Sequence, residues 1–260
     1  MILDIIAAAT RKRVDTSKSR IPAEEMKRLA LTCERGDFPF EASLSKTDLS
    51  FICEIKKASP SKGVIAADFP YLEIAQAYEE AGADAISVLT EPEFFLGSTD
   101  YLRDIRTCVR LPLLRKDFVV DEYQLYESKC IGADAVLLIC ALLDGQTLSR
   151  YLDICDELGL SALVEAHDEP EVYKAVSAGA RIVGVNNRDL KTFDVDLNNC
   201  IRLRPLVPDN ILFVAESGIK TPSDIAALNK AGVDAVLIGE TLMKSPDKKA
   251  ALDMFRGVIL

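Results

Sequence analysis

The sequence predicts an α/β chain folded as a single (β/α)8 (TIM) barrel with an N-terminal helical extension, and three observations carry that prediction. First, one stretch recurs four times, as EEAGADAISVLT (79–90), KCIGADAVLLIC (129–140), SAGARIVGVNN (177–187) and NKAGVDAVLIGE (229–240). In each copy a helix-like segment ends at a glycine and a β-branched apolar run follows at once. Those glycines, Gly82, Gly132, Gly179 and Gly232, are 50, 47 and 53 residues apart. That is two units of about 25 residues each, the length of a strand, a helix and their loops. Second, the intervening strands fall where this period requires them, at FICEIKK (51–57), LPLLRKDF (111–118), LSALVEAH (160–167) and ILFVAES (211–217), making eight in all. Third, the runs are continuously apolar, as in a parallel sheet buried on both faces, and the pattern continues evenly to the C-terminus. A doubly wound open sheet is the alternative, but no G-x-G-x-x-G follows the first strand.

Helical stretches lie between the strands at 71–81, 121–131, 146–158, 169–178 and 222–231, several behind Asp, Ser or Thr capping candidates. The first 49 residues carry no strand pattern, and 3–13 and 23–33 read as helices. Residues 1–49 are therefore expected to form a helical extension covering one end of the barrel, with 50–260 forming the barrel itself.

Composition narrows the function. A chain of 260 residues with 49% apolar content can bury a large core, which excludes disorder, collagen and a disulfide-stapled miniprotein. Its 31 basic against 41 acidic residues, a net charge of −10, argue against broad binding to nucleic acid or an anionic membrane. Any anionic ligand must be held by local positive charge. The longest apolar run, 135–143, is nine residues, too short to span a bilayer. The N-terminal apolar stretch is broken by Asp4 and followed by the basic run 11–13, the wrong polarity for a secretory signal, so a cytoplasmic protein is expected. Seven scattered cysteines without C-x-x-C suggest neither a disulfide framework nor zinc, and buried free thiols are the simplest expectation. Arg11, Lys12 and Arg13 read as a solvated helix face.

Barrels of this kind do their chemistry at the carboxyl ends of the strands, so charged residues there stand out from the apolar wall. Glu54 and Lys56 are two apart on the first strand and share a face; Lys116 ends the third strand, Glu165 the fifth, Asn186 the sixth, and Glu216 with Ser217 the seventh. By the same alternation Leu114, Leu163, Gly184 and Val214 point with them into the barrel. The plain alternative is an interior ion network that satisfies itself, but burying several charges is costly and seldom stabilising. Two lysines, several carboxylates and an amide at matching heights suit acid-base chemistry without a cofactor. A lysine crowded by cations, or desolvated, donates a proton near neutral pH, and a carboxylate in an apolar wall acts as base.

A second group suggests phosphate. Glu216-Ser217-Gly218-Ile219 and Gly239-Glu240-Thr241 place glycines and small hydroxyls after the seventh and eighth strands, where such barrels commonly hold phosphate through backbone N–H groups. The run 179–184 has P-loop spacing, but Val185 and Asn186 stand where Lys and Ser or Thr are required. The lone His167 shares the face of Glu165 and reads as its hydrogen-bonding support. Phe94, Phe95 and Phe118 lie by strand ends, where they either line an aromatic pocket or simply pack. No His or Cys cluster has metal-ligand spacing. On these residues alone a sugar-phosphate isomerase, an aldolase-like enzyme and a silent scaffold barrel stay open.

The motifs CEIKKASPSKG (53–63), LLRKDF (113–118), ALVEAH (162–167), GVNNRDL (184–190), AESGI (215–219) and LIGETLM (237–243) occur in order. Together they make the chain resemble the indole-3-glycerol phosphate synthase family over essentially its whole length. The resemblance implies ring closure of 1-(2-carboxyphenylamino)-1-deoxyribulose 5-phosphate with loss of carbon dioxide and water, without a cofactor or metal. It implies Lys116 as principal general acid, Glu165 as acid/base partner in dehydration, and Lys56 as the cation holding the substrate carboxylate and donating a proton in the second stage. Glu54 and Asn186 would orient the ribulose hydroxyls and the anilino nitrogen, and Glu216 and Ser217 would complete the polar wall. Ser59, Gly218, Gly239 and the amides of Glu240 and Thr241 would hold the phosphate. Phe118 and Phe95 would face the anthranilate ring, with Arg188 in support at the sixth loop. The implied partner is this small phosphorylated molecule, with no nucleic acid, membrane or obligate protein partner. The N-terminal segment is poorer in motifs and does not reveal which of its residues seal the pocket.

Overall fold

The computed structural model describes residues 2–189 and 192–257; Leu190, the last residue of the GVNNRDL motif, lies outside the described residues. Eight parallel strands close into a barrel: β1 (Ser50–Ile55), β2 (Ala85–Leu89), β3 (Leu113–Lys116), β4 (Ala135–Ile139), β5 (Ser161–Ala166), β6 (Ile182–Asn186), β7 (Leu212–Glu216) and β8 (Ala235–Ile238). Each pairs with its neighbours in sequence, and β1 closes the ring on β8 with Ser50 opposite Ala235. The predicted barrel is therefore observed, strand for strand.

The register explains the inner filling. Ile52, Leu114, Ala135, Leu137, Leu163, Ile182, Val214 and Leu237 point inward and pack as one cluster. The residues that alternate with them, such as Phe51, Cys53, Val136 and Phe213, face the surrounding helices in a second, larger cluster. Of the residues expected to point in, Leu114, Leu163 and Val214 belong to the inner cluster. Gly184 also faces inward, for a Cβ built there would run into the Glu216 carboxylate.

The barrel helices are α4 (Tyr71–Glu80), α5 (Thr99–Cys108), α6 (Tyr123–Cys130), α7 (Gly145–Leu158), α8 (Glu169–Ala178), α9 (Asn198–Leu203), α10 (Pro222–Lys230), α11 (Glu240–Lys244) and α12 (Lys248–Arg256), after α1 (Ile2–Arg20), α2 (Ala23–Thr32) and α3 (Pro39–Leu44). Side-chain caps start several of them: Ser98 before α5, Asp144 before α7, Asp168 before α8, and Thr221 in a capping box with Asp224 before α10. One feature has no counterpart in the sequence reading. β1 ends at Ile55, and Ala58–Ser59 then pairs antiparallel with Gly63–Val64 in a small hairpin.

The helices before β1 reach both ends of the barrel. Phe40 and Leu44 of α3 are fully buried and join the inner cluster from the amino-terminal end of the strands. Ile2, Leu3 and Ile6 of α1 line the cavity at the opposite end. Between them α2 packs along α6, with Lys27 over the ring of Tyr126. The link to α3 passes so close to the left-handed turn after α7 that a Cβ on Gly36 would meet the Gly159 carbonyl, so this crossing requires glycine. Arg13 is not the solvated residue expected: its guanidinium lies 2.7 Å from Asp117 and is three-quarters buried. Lys18, 2.6 Å from Asp121, adds a second tie. The cysteine expectation also needs correction. Cys53, Cys140, Cys155 and Cys200 are buried, but Cys33 and Cys130 are exposed and Cys108 is half-buried. Among the described residues no helix is long and apolar enough to cross a membrane.

Candidate active site

A cavity of about 590 Å³ opens at the carboxyl ends of the strands. It brings together every site residue expected from the sequence: Glu54, Lys56, Ser59, Phe95, Lys116, Phe118, Glu165, Asn186, Arg188, Glu216, Ser217, Gly218, Gly239, Glu240 and Thr241 all line it. These residues come from seven of the eight strands or the loops that follow them. Phe94 is not among the lining residues, and His167 lies behind Glu165 instead of on the wall.

The deep wall is ionic. Lys116 Nζ lies 3.2 Å from Glu165 Oε2 and 3.2 Å from Glu216 Oε2. Beside them Lys56 Nζ meets Glu54 Oε1 at 2.5 Å. All three glutamate side chains are at most 5% exposed, so water does little to screen these pairs. Burial disfavours the charged form of Lys116, yet the surrounding Glu216, Glu165 and Glu54 outweigh it and raise its pKa above the ordinary lysine value. Lys116 is thus crowded by carboxylates, and the expectation of a lysine crowded by cations and tuned downward is not met. The two flanking carboxylates diverge. Burial pushes Glu216 up to about 7, with the neighbouring Glu165 charge adding to the push and Lys116 opposing it. Burial also acts on Glu165, but Lys116, His167 and a hydrogen bond from Asn186 hold it below the usual glutamate range.

Glycine makes room for this array. A Cβ on Gly184 would meet Glu216 Oε1, and one on Gly239 would meet Glu54 Oε1 and, at 3.0 Å, Lys56 Nζ. The turn after β7 is unusual for its residue type. Ser217 has a left-handed φ of 68° and Gly218 follows at 83°. Asn187 holds this turn by donating from Nδ2 to the Ser217 carbonyl at 3.1 Å. Thr241 donates its hydroxyl to the Ile219 carbonyl at 2.8 Å, which joins the seventh and eighth strand-end turns and leaves its amide for other work.

Another part of the lining is aromatic. The rings of Phe95 and Phe118 lie 5.8 Å apart, tilted by 39°. Phe95 is placed by Glu91, a buried acid at the end of β2 whose carboxylate accepts the backbone N–H groups of Glu93, Phe94 and Phe95 at 3.0, 2.7 and 3.0 Å. Sequence reasoning missed Glu91, although an acid just past the end of a buried strand is a readable signal. It also missed Leu137 and Ile139, which the alternation along β4 would have found, and the apolar lid of Ile2, Leu3 and Ile6, which nothing local announces. The mouth carries Lys62, Lys220 and Lys244, so the cavity is lined by six cations against five acids in a chain whose net charge is −10. This supplies the local positive charge that an anionic ligand demands.

Known proteins place the chain. The family model described as indole-3-glycerol phosphate synthase matches residues 3–255. The indole-3-glycerol phosphate synthase of Ruminiclostridium cellulolyticum is 60% identical over 258 residues, covering 99% of both chains. The protein of the same name from Endomicrobium trichonymphae is 56% identical over 246 residues, covering 94% of this chain and 95% of its own. Among solved structures, 3-hexulose-6-phosphate synthase from Salmonella typhimurium superposes with a TM-score of 0.65 at 15% identity, covering 81% of this chain and 98% of that one, a likeness of fold alone. With the motifs in one cavity and the match running almost from end to end, the chain belongs to the indole-3-glycerol phosphate synthase family.

Proposed function

We propose that this cavity closes the indole ring of 1-(2-carboxyphenylamino)-1-deoxyribulose 5-phosphate, releasing carbon dioxide and water to leave indole-3-glycerol phosphate, the activity named for the family. The observation that carries the assignment of roles is one ammonium, Lys116, 3.2 Å from each of two buried carboxylates in a cavity rimmed by cations. In the first stage the ring carbon bearing the carboxylate attacks the ketone, and negative charge grows on the ketone oxygen. Lys116 stabilises that charge and passes its proton to the oxygen as the alkoxide becomes more basic than an amine. Carbon dioxide then leaves and the ring regains its aromaticity.

In the second stage the new hydroxyl departs as water while a base removes the proton that leaves the C–C double bond. Glu165, held ionised beside Lys116, suits the base, and Lys56 suits both the substrate carboxylate and protonation of the leaving hydroxyl. Glu216, which exchanges its proton near neutral pH, suits the return of a proton to Lys116. Glu54 and Asn186 orient the sugar hydroxyls and the anilino nitrogen. Ser59, Gly218, Gly239 and the amides of Glu240 and Thr241 take the phosphate, while Phe95 and Phe118 flank the aromatic ring. Residues 1–49 serve as the extension that completes the pocket. The enzyme works in the cytoplasm without an obligate protein partner, a compartment in which seven free cysteines are stable.

The test is direct. Purified protein incubated with the carboxyphenylamino-deoxyribulose phosphate gives rising indole absorbance and fluorescence, and a folded preparation that leaves this substrate unchanged refutes the proposal. Lys116→Ala and Glu165→Gln should each lower turnover about 100-fold or more with circular dichroism unchanged.

A further inference from the structure

Lys116 sits at equal distance from two carboxylates, but their outer oxygens meet different surroundings. Glu165 Oε1 lies 3.4 Å from Nε2 of His167, an ion-pair distance at which the buried Nε2 makes no hydrogen bond. Glu216 Oε1 is buried without a hydrogen-bond partner and turned toward Gly184. Besides the hydrogen bond from Asn186, the difference comes from an imidazole outside the cavity wall. His167 directly follows β5, and its Nδ1 lies 3.1 Å from Glu171 Oε2. The same Glu171 oxygen accepts the His167 backbone N–H at 2.8 Å, and Asn199 Nδ2 donates to the His167 carbonyl at 3.0 Å. Glu171 is itself fixed in the first turn of α8, where its N–H donates to Asp168 at 3.0 Å.

A neutral imidazole that donates from Nδ1 to Glu171 turns a bare lone pair on Nε2 toward the Glu165 carboxylate, whereas the imidazolium turns an N–H and a positive charge to it. Burial disfavours the charged ring, but the hydrogen bond with Glu171 and the charges of Glu165, Glu171 and Glu216 outweigh it and raise the pKa of His167 above 6.5. The other charged groups facing this array do not cancel that effect. Lys174 of α8 turns its ammonium to the carbonyls of Cys140 and Leu143, at 2.9 and 3.2 Å. Burial pushes the Cys140 thiol up to about 12, so it stays neutral. Lys116 from β3 acts on both Glu165 and Glu216, and Glu54 from β1 acts on Glu216.

We propose that His167 is a positioning residue: as an imidazolium anchored by Glu171, it holds Glu165 ionised on Lys116 and so directs the exchangeable proton to Glu216. The inference rests on the reading that this cavity performs the ring closure, but one arm of its test does not. His167 is the only histidine in the chain, so its ring resonances in an NMR spectrum of the full-length enzyme need no assignment. They should titrate above 6.5, and Glu171→Gln should move the midpoint back toward 6.5 with the fold intact. A midpoint at or below 6.5, unmoved by Glu171→Gln, overturns the proposal whatever the enzyme catalyses.

The kinetic arm uses His167→Gln, which keeps a donor but cannot carry charge. With one cation gone Glu165 binds its proton more tightly, so the acid limb of the kcat profile moves to higher pH. We expect kcat at pH 6.5 to fall about tenfold with KM changed less than threefold. A pH profile superimposable on that of the wild type overturns the proposal. Glu171→Gln, which leaves the ring in place, should shift the acid limb the same way by a smaller amount and serves as the second variant if His167→Gln folds poorly. Wild-type enzyme without ring-closing activity would instead refute the functional reading, and the NMR arm would still decide the state of the imidazole.

Discussion

Arg115 and Lys116 are neighbours on β3, point to opposite faces of the barrel wall, and are both cations flanked by two carboxylates, the first fully buried and the second mostly so. Arg115 faces outward, 3.1 Å from Asp117 and 2.7 Å from Glu127, and completes its donors on Thr90, Gln124 and Ser128. Asp117 in turn accepts from Arg13, from the Thr90 hydroxyl and from the Phe118 amide. Lys116 faces inward, toward a cavity, and one oxygen of its partner Glu216 has no hydrogen bond. Buried charge alone therefore does not mark a functional site. A saturated network holds structure together, while an incompletely satisfied one beside open space has capacity left for a ligand.

Substitutions on the two faces should separate these roles. The largest effect is expected from Lys116→Ala, a loss of about 10²–10⁴ in kcat with a thermal midpoint close to that of the wild type, because cavity water and a proton on Glu216 relieve the carboxylates. Arg115→Met should do the reverse. Denaturant melts should record a loss of about 3–5 kcal/mol, since Asp117 and Glu127 are left without their cation, while kcat per folded molecule stays within a few-fold. Equal losses of activity in both variants would erase the distinction.

Glu216→Gln sharpens the comparison within the inner cluster. In the wild type the folded protein holds this proton up to about pH 7, whereas the unfolded chain releases it near 4.5. Folding is thus favoured by this group at low pH, and the benefit drains away between roughly pH 4.5 and 7. The variant lacks that decline, so its stability relative to wild type should rise across the same window, and the inflection near pH 7 in the kcat profile should vanish. The smallest effect is expected from Arg13→Gln, which cuts the tie between α1 and Asp117. It should cost about 1–3 kcal/mol and raise KM several-fold with little change in kcat, through looser placement of Ile2, Leu3 and Ile6 over the cavity.

The barrel was readable because its signal is local and repeated. Four glycine-closed helix ends at even spacing, each followed by a β-branched run, require only nearest neighbours to interpret. The ionic site was readable for a related reason: Lys116, Glu165 and Glu216 violate the apolar rule of a buried strand at the end where ligands bind. Side-chain direction at each strand end follows from alternation, so the spacing of Glu54 and Lys56 alone places them together. Arg13 could not be read, because its partner is 104 residues away and a basic helix residue looks alike whether solvated or paired. Nor could the opposite shifts of Glu165 and Glu216 be read, since they depend on which outer oxygen meets His167 and which meets the bare backbone of Gly184.

Because α3 fills one end of the barrel and α1 overlies the other, helices made before the barrel strands are among the last elements able to dock. Phe40 and Leu44 share the inner cluster with residues as late as Ala235 and Leu237 of β8, so their binding site is complete only when all eight strands have been made. Until then these apolar helices wait without partners, which favours late, long-range closure of the molecule as a unit. A truncated product lacking β8 would therefore be left with an unplugged barrel, and an unfinished copy would be unable to mimic the finished catalyst.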